Sequence, residues 1–291
     1  MRVSPGLAHM VAAAFYFSLM SVFVKLAGRT LPSSEIVFFR AAVSLVLTSI
    51  LLRRAGISPW GHRRGLLFLR GLLGFLGLLC FFSAITRLPL ADVTVIHYTN
   101  PVLTALLAAL LLGEGIHRRD MVGLALSLAG VILVARPGFL FGAATALDPG
   151  AVTLAMGGAV FSALAYTTVR KLGQTEHYLV VVFWFPLVAT PGSIPLMLEQ
   201  AIMPAGMAWI WLLGVGLATQ AAQIHLTRGL HAEKAGRAMS MSYIQILFAA
   251  VLGALVFGDL PGPWTWLGAG LVVAGTLVVA GSSGKAVRRQ T

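Results

Sequence analysis

A chain of 291 residues that is 58% hydrophobic, only 10% charged and has a mean hydropathy of +0.90 cannot be wrapped as a water-soluble globule, in which about a quarter of residues are charged. The composition disfavours soluble enzymes, nucleic-acid readers and secreted disulfide scaffolds together, and the single Cys80 allows no internal disulfide. The net charge of +12 then asks where the basic residues sit relative to a bilayer, and no nucleic-acid partner is expected.

A spanning helix needs about 20 largely apolar residues. Ten such runs follow one another, near 6–28, 34–52, 65–86, 91–113, 121–135, 150–169, 178–198, 206–227, 236–258 and 264–281. The first is long enough to span and lacks a small-residue exit, so it reads as a helix of the mature protein and not as a cleavable signal. Backbone in hydrocarbon must satisfy its own polar groups, so runs of this length form helices and not barrel strands. With the N-terminus placed in the cytoplasm, fifteen of the 21 basic residues fall on the inside, among them Arg2, Arg53, Arg63, Arg118, Arg170, Arg228, Lys285, Arg288 and Arg289. Lys25, Arg29, Arg87 and Arg136 fall outside, and Arg40 and Arg70 lie within spans. That asymmetry puts both termini in the cytoplasm.

The two halves resemble each other at a shift of 145 residues. Tyr98 matches Tyr243, Gly113-Glu114 matches Gly258-Asp259, and Gly123 and Gly130 match Gly268 and Gly275. At a shift of 146, Phe15, Lys25 and Leu26 meet Phe161, Lys171 and Leu172. The expected architecture is an all-α membrane protein of ten transmembrane helices in two repeats, helices 1–5 over 6–136 and helices 6–10 over 149–281. Five spans is an odd number, so the second copy enters the membrane from the opposite side. Inverted repeats are a common plan of secondary transporters, with cargo held near the midplane.

Certain residues carry a resemblance to a known family. They are Phe38-Phe39-Arg40 in the second span, Leu69-Arg70-Gly71 in the third, and Leu88 to Asp92 with Asn100-Pro101 around the fourth, which ends at Gly113-Glu114. With ten spans in two copies, the chain resembles EamA-type members of the drug/metabolite transporter superfamily, nearest to the G-type proteins of solute-carrier family 35 and their bacterial relatives. The resemblance implies a metabolite or drug carrier of the cell membrane, its central cavity opening alternately on each side. The second copy departs from the first, with Phe185 opposite Arg40 and Ile246 opposite Pro101, so the cavity should be chemically asymmetric.

Ionisable groups inside a membrane are costly, about 2.5–3.5 kcal/mol on insertion scales, and so point to function. Arg40 and Arg70 can attract an anionic group through their forked guanidinium, or snorkel to the interface. In the fourth span His97, Tyr98 and Asn100 precede Pro101, which removes the helical donor to the His97 carbonyl and should kink the helix. Trp184, Gln220, Gln223, Tyr243 and Gln245 complete the expected substrate-binding set, with packing between helices as the alternative for each. Gly71, Gly74, Gly77, Gly268 and Gly275 read as close helix contacts, because no phosphate-binding pattern surrounds them. All nine carboxylates fall in loops or at helix ends, which disfavours a cationic drug exporter and favours anionic or zwitterionic cargo. No catalytic residue, metal or cofactor is expected, and the partners are a small metabolite, the bilayer and, in some settings, a second copy as homodimer. The competing classes are a membrane-embedded transferase and a lipid scramblase or channel.

Overall fold

A computed structural model describes residues 4–141, 148–258 and 262–280. Arg2, Asp259, Gly281, Lys285, Arg288 and Arg289, which enter the charge count, the repeat boundary or the repeat match, lie outside the described residues. Every regular element described is helical: α1 (Pro5–Ala27), α2 (Ser33–Arg54), α3 (Arg64–Ile85), α4 (Leu90–His97), α5 (Asn100–Leu112), α6 (Arg118–Ala135) and α7 (Gly138–Phe141). They are followed by α8 (Pro149–Leu172), α9 (Tyr178–Leu198), α10 (Ala208–Ala232), α11 (Ala235–Ser240), a 3₁₀ turn (Met241–Tyr243), α12 (Ile244–Phe257) and α13 (Pro263–Ala280). Among the described residues, eight stretches are long and apolar enough to cross a membrane: α1, α2, α3, α4 with α5, α8, α9, α11 with α12, and α13. The protein is therefore a multi-pass integral membrane protein. Helices α6 and α10 are comparable in length, at 18 and 25 residues, but α6 opens on Arg118, Arg119 and Asp120, and α10 carries Gln220, Gln223 and His225.

The helix ends follow from local chemistry. Ser4 caps α1 by accepting from the Leu7 N–H at 3.3 Å, and Asp148 caps α8 by accepting from the N–H groups of Gly150 and Ala151 at 3.1 and 3.2 Å. In each case proline follows at the first helical position, where its missing N–H costs nothing. Helices α5 and α12 both stop on a left-handed glycine, Gly113 at φ +67° and Gly258 at φ +74°, a conformation that a Cβ would strain.

Two runs that read as single spans are interrupted. The first breaks at Tyr98–Thr99, just before Pro101, as its missing N–H requires. The second, where Ile246 stands opposite Pro101, breaks as well, through the 3₁₀ turn. There Ser240 Oγ donates to the Arg237 carbonyl at 2.8 Å and Ser242 Oγ to that of Met239 at 2.6 Å. Such side-chain bonds to the backbone three residues back compete with the α ladder.

Helix α1 packs on α10, α3 on α8, α2 on α9 and α6 on α13. The α6–α13 crossing brings backbone against backbone. A Cβ on Gly130 or on Gly268 would stand 2.5 Å from the other's carbonyl oxygen, and one on Gly123 would stand 2.7 Å from that of Gly275. Small residues at such spacing give helices in lipid the dispersion contact that water would otherwise not drive. Gly71 serves α3 in the same way, its missing Cβ lying 2.5 Å from the Trp184 carbonyl of α9.

Carboxylates tie the helix ends. Glu176 accepts from the N–H groups of His62 and Arg63 at 2.8 and 2.6 Å, and Glu114 pairs with Arg170 at 2.5 Å while accepting from the Ala235 N–H at 2.8 Å. Ser4 donates to Glu233 at the same end. At the opposite end Glu35 accepts from the Ile202 N–H at 3.1 Å and Asp92 from that of Gly138 at 2.5 Å.

Candidate functional site

Arg40 is the eighth residue of α2 and Arg70 the seventh of α3, and these helices start from opposite ends of the molecule. By helical rise each lies roughly 10 Å inside its own end. Both side chains reach one ring, that of Phe185 on α9. The guanidinium carbon of Arg40 lies 5.9 Å from the ring centroid and that of Arg70 lies 4.9 Å from it. Gly74, one turn beyond Arg70, makes the room: a Cβ there would stand 2.9 Å from Phe185 Cδ2 and 3.1 Å from Arg70 Nη1.

The neighbours of the two cations are neutral. Arg70 Nη2 donates to Gln223 Oε1 at 3.1 Å, whereas Arg40 Nη1 finds only the Met20 sulfur at 3.9 Å, a weak acceptor. The Tyr166 hydroxyl of α8 lies within electrostatic reach of both guanidiniums and of the Tyr98 phenol. Among the described residues neither arginine has a carboxylate partner, and the Nε of each is buried without a hydrogen bond. Arg70 is 3% exposed, so it does not snorkel.

Tyr98 and Tyr243 stack at 6.0 Å and 25°, and the Tyr243 hydroxyl donates to the Tyr98 carbonyl at 2.9 Å. The acceptor put to use at the proline break is thus the carbonyl of Tyr98, one residue beyond His97. The fully buried Tyr243 joins the two helix breaks. Asn100 Oδ1 and both amide atoms of Gln220 are buried without partners. Gln245 is half-buried, and its carbonyl accepts from Ser18 Oγ at 2.8 Å.

Two expected residues lie elsewhere. The His97 ring packs on Phe81 at 4.6 Å, and Trp184 donates its indole N–H to the Pro59 carbonyl at 3.0 Å with Trp60 edge-on at 6.1 Å. Trp184 is therefore fastened to the 55–63 loop. Sequence reasoning missed Tyr166 and gave Phe185 only its place opposite Arg40. The available signal for Tyr166 was a lone tyrosine beside Thr167 and Thr168 in an apolar run.

Two other features lie apart from this cluster. His9 and His225 meet Nδ1 to Nδ1 at 2.9 Å, so one ring donates and the other accepts. A groove of about 420 Å³ runs beside α1 and α12, lined by Ser18, Ser21, Lys25, Gly253 and Phe257 among others. Among the described residues no three His, Cys, Asp or Glu side chains come together to hold a metal ion.

The model of the EamA-like transporter family matches residues 4–136 and again 149–281. The chain is 34% identical to the pseudopaline exporter CntI of Pseudomonas aeruginosa, over 93% of this chain and 94% of that one. It is 31% identical to human solute carrier family 35 member G1, over 98% of this chain and 79% of that one. A solved crystal structure, 18% identical, superposes with a TM-score of 0.84 over 100% of both chains, which shows the shared fold.

Proposed function

Because the chain belongs to the EamA-like transporter family, and so is a plasma-membrane transporter of small molecules, we propose that it is a secondary carrier whose cargo is anionic or zwitterionic, moved by alternating access between two inverted five-helix repeats. The observation that carries the cargo reading is the pair Arg40 and Arg70, converging on Phe185 with neutral neighbours and no carboxylate partner among the described residues. A buried guanidinium without a counter-charge is costly, and an anion entering between the halves relieves that cost. To the cargo site we also assign Tyr98, Asn100, Gln220, Gln223, Tyr243 and Gln245, of which Gln223 accepts from Arg70.

The repeat reading covers 6–136 and 149–281, with α6 and α10 as the remaining spans and both termini cytoplasmic. Its support is the recurrence of boundaries: α4, α5, α6 and the left-handed Gly113 reappear 145 residues later as the starts of α11 and α13, the end of α12 and Gly258. Packing follows the same relation, since α1 on α10 and α3 on α8 exchange under the shift while α2 on α9 and α6 on α13 map onto themselves. Elements related in this way can rock about a shared centre. The name of the pseudopaline exporter supports outward movement, and pseudopaline is the first cargo to offer.

The test is flux in proteoliposomes, with pseudopaline and panels of carboxylates, amino acids and organic cations. Removing one arginine leaves the cargo anion desolvated and unpaired, which costs about 2–5 kcal/mol, so Arg40→Gln and Arg70→Gln in folded protein should lower anion binding by roughly 30-fold or more. Unchanged anion transport in both variants, or a preference for cations, discards the reading. For orientation, a cysteine at His62 in a Cys80→Ala background should resist an impermeant thiol reagent applied to whole cells, and labelling would reverse the topology.

A further inference from the structure

Deepening the anionic-cargo reading, on which it rests, we infer that the cargo carries two negative charges at the ends of a short apolar stem, one for each of Arg40 and Arg70, with the stem over Phe185. Guanidinium stays protonated at any physiological pH, so the site holds two fixed positive charges. Gln223, Tyr166, Met20 and Phe185 bring none of the opposite sign. A monoanion would leave one cation uncompensated where water is scarce; a dianion leaves none.

Geometry agrees with the charge count. Both guanidinium carbons lie near one ring centroid, at 5.9 and 4.9 Å, so the two distances together hold them within about 11 Å of each other. That interval suits two carboxylates on one small molecule, each taken side-on by a fork of N–H donors. The surface shared by the cations is an aromatic ring, so whatever links the two charges meets hydrocarbon. The ring also offers the two charges a partner: the electron-rich face of Phe185 attracts both guanidiniums, and carboxylates would compete with it for them. Arg40 is the less satisfied of the two, with a sulfur at 3.9 Å where Arg70 has an amide oxygen at 3.1 Å.

The experiment compares succinate, glutarate and adipate with their monoamides, which keep length and shape while removing one charge. Binding to purified protein and counterflow in proteoliposomes are read at neutral pH for wild type, Arg40→Gln, Arg70→Gln and the corresponding lysine variants. At the best chain length wild type should favour the diacid over its monoamide by roughly tenfold or more. Each glutamine variant should lose or invert that preference, because one positive charge now matches one negative charge. The lysine variants, which keep the charge, should keep the preference at weaker affinity, and they stand in if a glutamine variant fails to fold. Equal handling of diacid and monoamide by wild type, with both lowered by Arg→Gln, overturns the two-charge inference and leaves the anionic reading standing. Diacid preference retained in both glutamine variants also overturns it, and failure of every acid to bind or move sinks both.

Discussion

The α2–α9 and α6–α13 crossings each join one helix of the first half to its counterpart in the second, and they are built in opposite ways. At α6–α13, Gly123, Gly130, Gly268 and Gly275 bring the two backbones into contact, and a Cβ at any of the four would stand within 2.7 Å of an atom of the facing helix. At α2–α9 the crossing carries Arg40 and Phe185, with Arg70 reaching the same ring from α3. One crossing maximises dispersion contact, with Ser127 Oγ closed in where a Cβ on Gly275 would stand. The other tolerates unpaired charge, which helices in lipid do not keep for stability alone. On the proposed reading, equivalent positions of the two halves serve as a seam and as a site.

The largest effect should come from breaking the seam. Gly268→Val places branched carbons against the Gly130 carbonyl, where neither backbone can yield, and should cost about 3 kcal/mol or more, seen as a fall in unfolding temperature and in folded yield. Arg40→Gln in the same assay should change stability little. If the valine is tolerated and the glutamine is not, the assignment of seam and site is inverted. Next in size, Phe185→Leu keeps the apolar volume but removes the aromatic face from both guanidiniums, lowering the stability of the empty carrier by about 1–2 kcal/mol. Bound diacid should restore much of that loss; an equal deficit with and without diacid would show that Phe185 is ordinary packing.

Tyr243→Phe sharpens the comparison at the helix breaks. It deletes the bond to the Tyr98 carbonyl but keeps the ring stack, so about 1 kcal/mol of stability should go. A smaller loss from Tyr243→Phe than from Tyr98→Phe would show that the hydroxyl of Tyr98, and not that of Tyr243, joins the breaks. The smallest effect concerns protons. Because the site's charges are guanidiniums, flux between about pH 5.5 and 8 should vary by no more than a few-fold, and His97→Gln should remove what variation there is. A steep profile that survives His97→Gln would move proton coupling to the His9–His225 pair.

The helices were legible along the chain, because long apolar runs act locally. Hydrocarbon length and backbone self-satisfaction are enough to specify helices from composition. The pairing of Tyr98 with Tyr243 and of Gly130 with Gly275 was visible as a constant shift, although the contacts run Gly130 to Gly268 and Gly123 to Gly275, as an antiparallel crossing demands. The second break was not visible, since no proline marks it and serine bonds to the backbone depend on rotamer.

Which side chains meet was decided only by the tertiary structure. Sequence distance cannot say that Arg40, Arg70, Tyr166, Phe185 and Gln223, from five helices, face a common centre, nor that Trp184, one residue from Phe185, turns instead to the Pro59 carbonyl. Adjacent residues on a helix point about 100° apart, so the face each presents is decided by the helix packed against it. Composition determined that this chain lives in a membrane, and its apolar runs enclose few of its arginines. Packing determined that two of them meet over one ring with no acid between them among the described residues, because each helix's rotation is set by the helices packed against it.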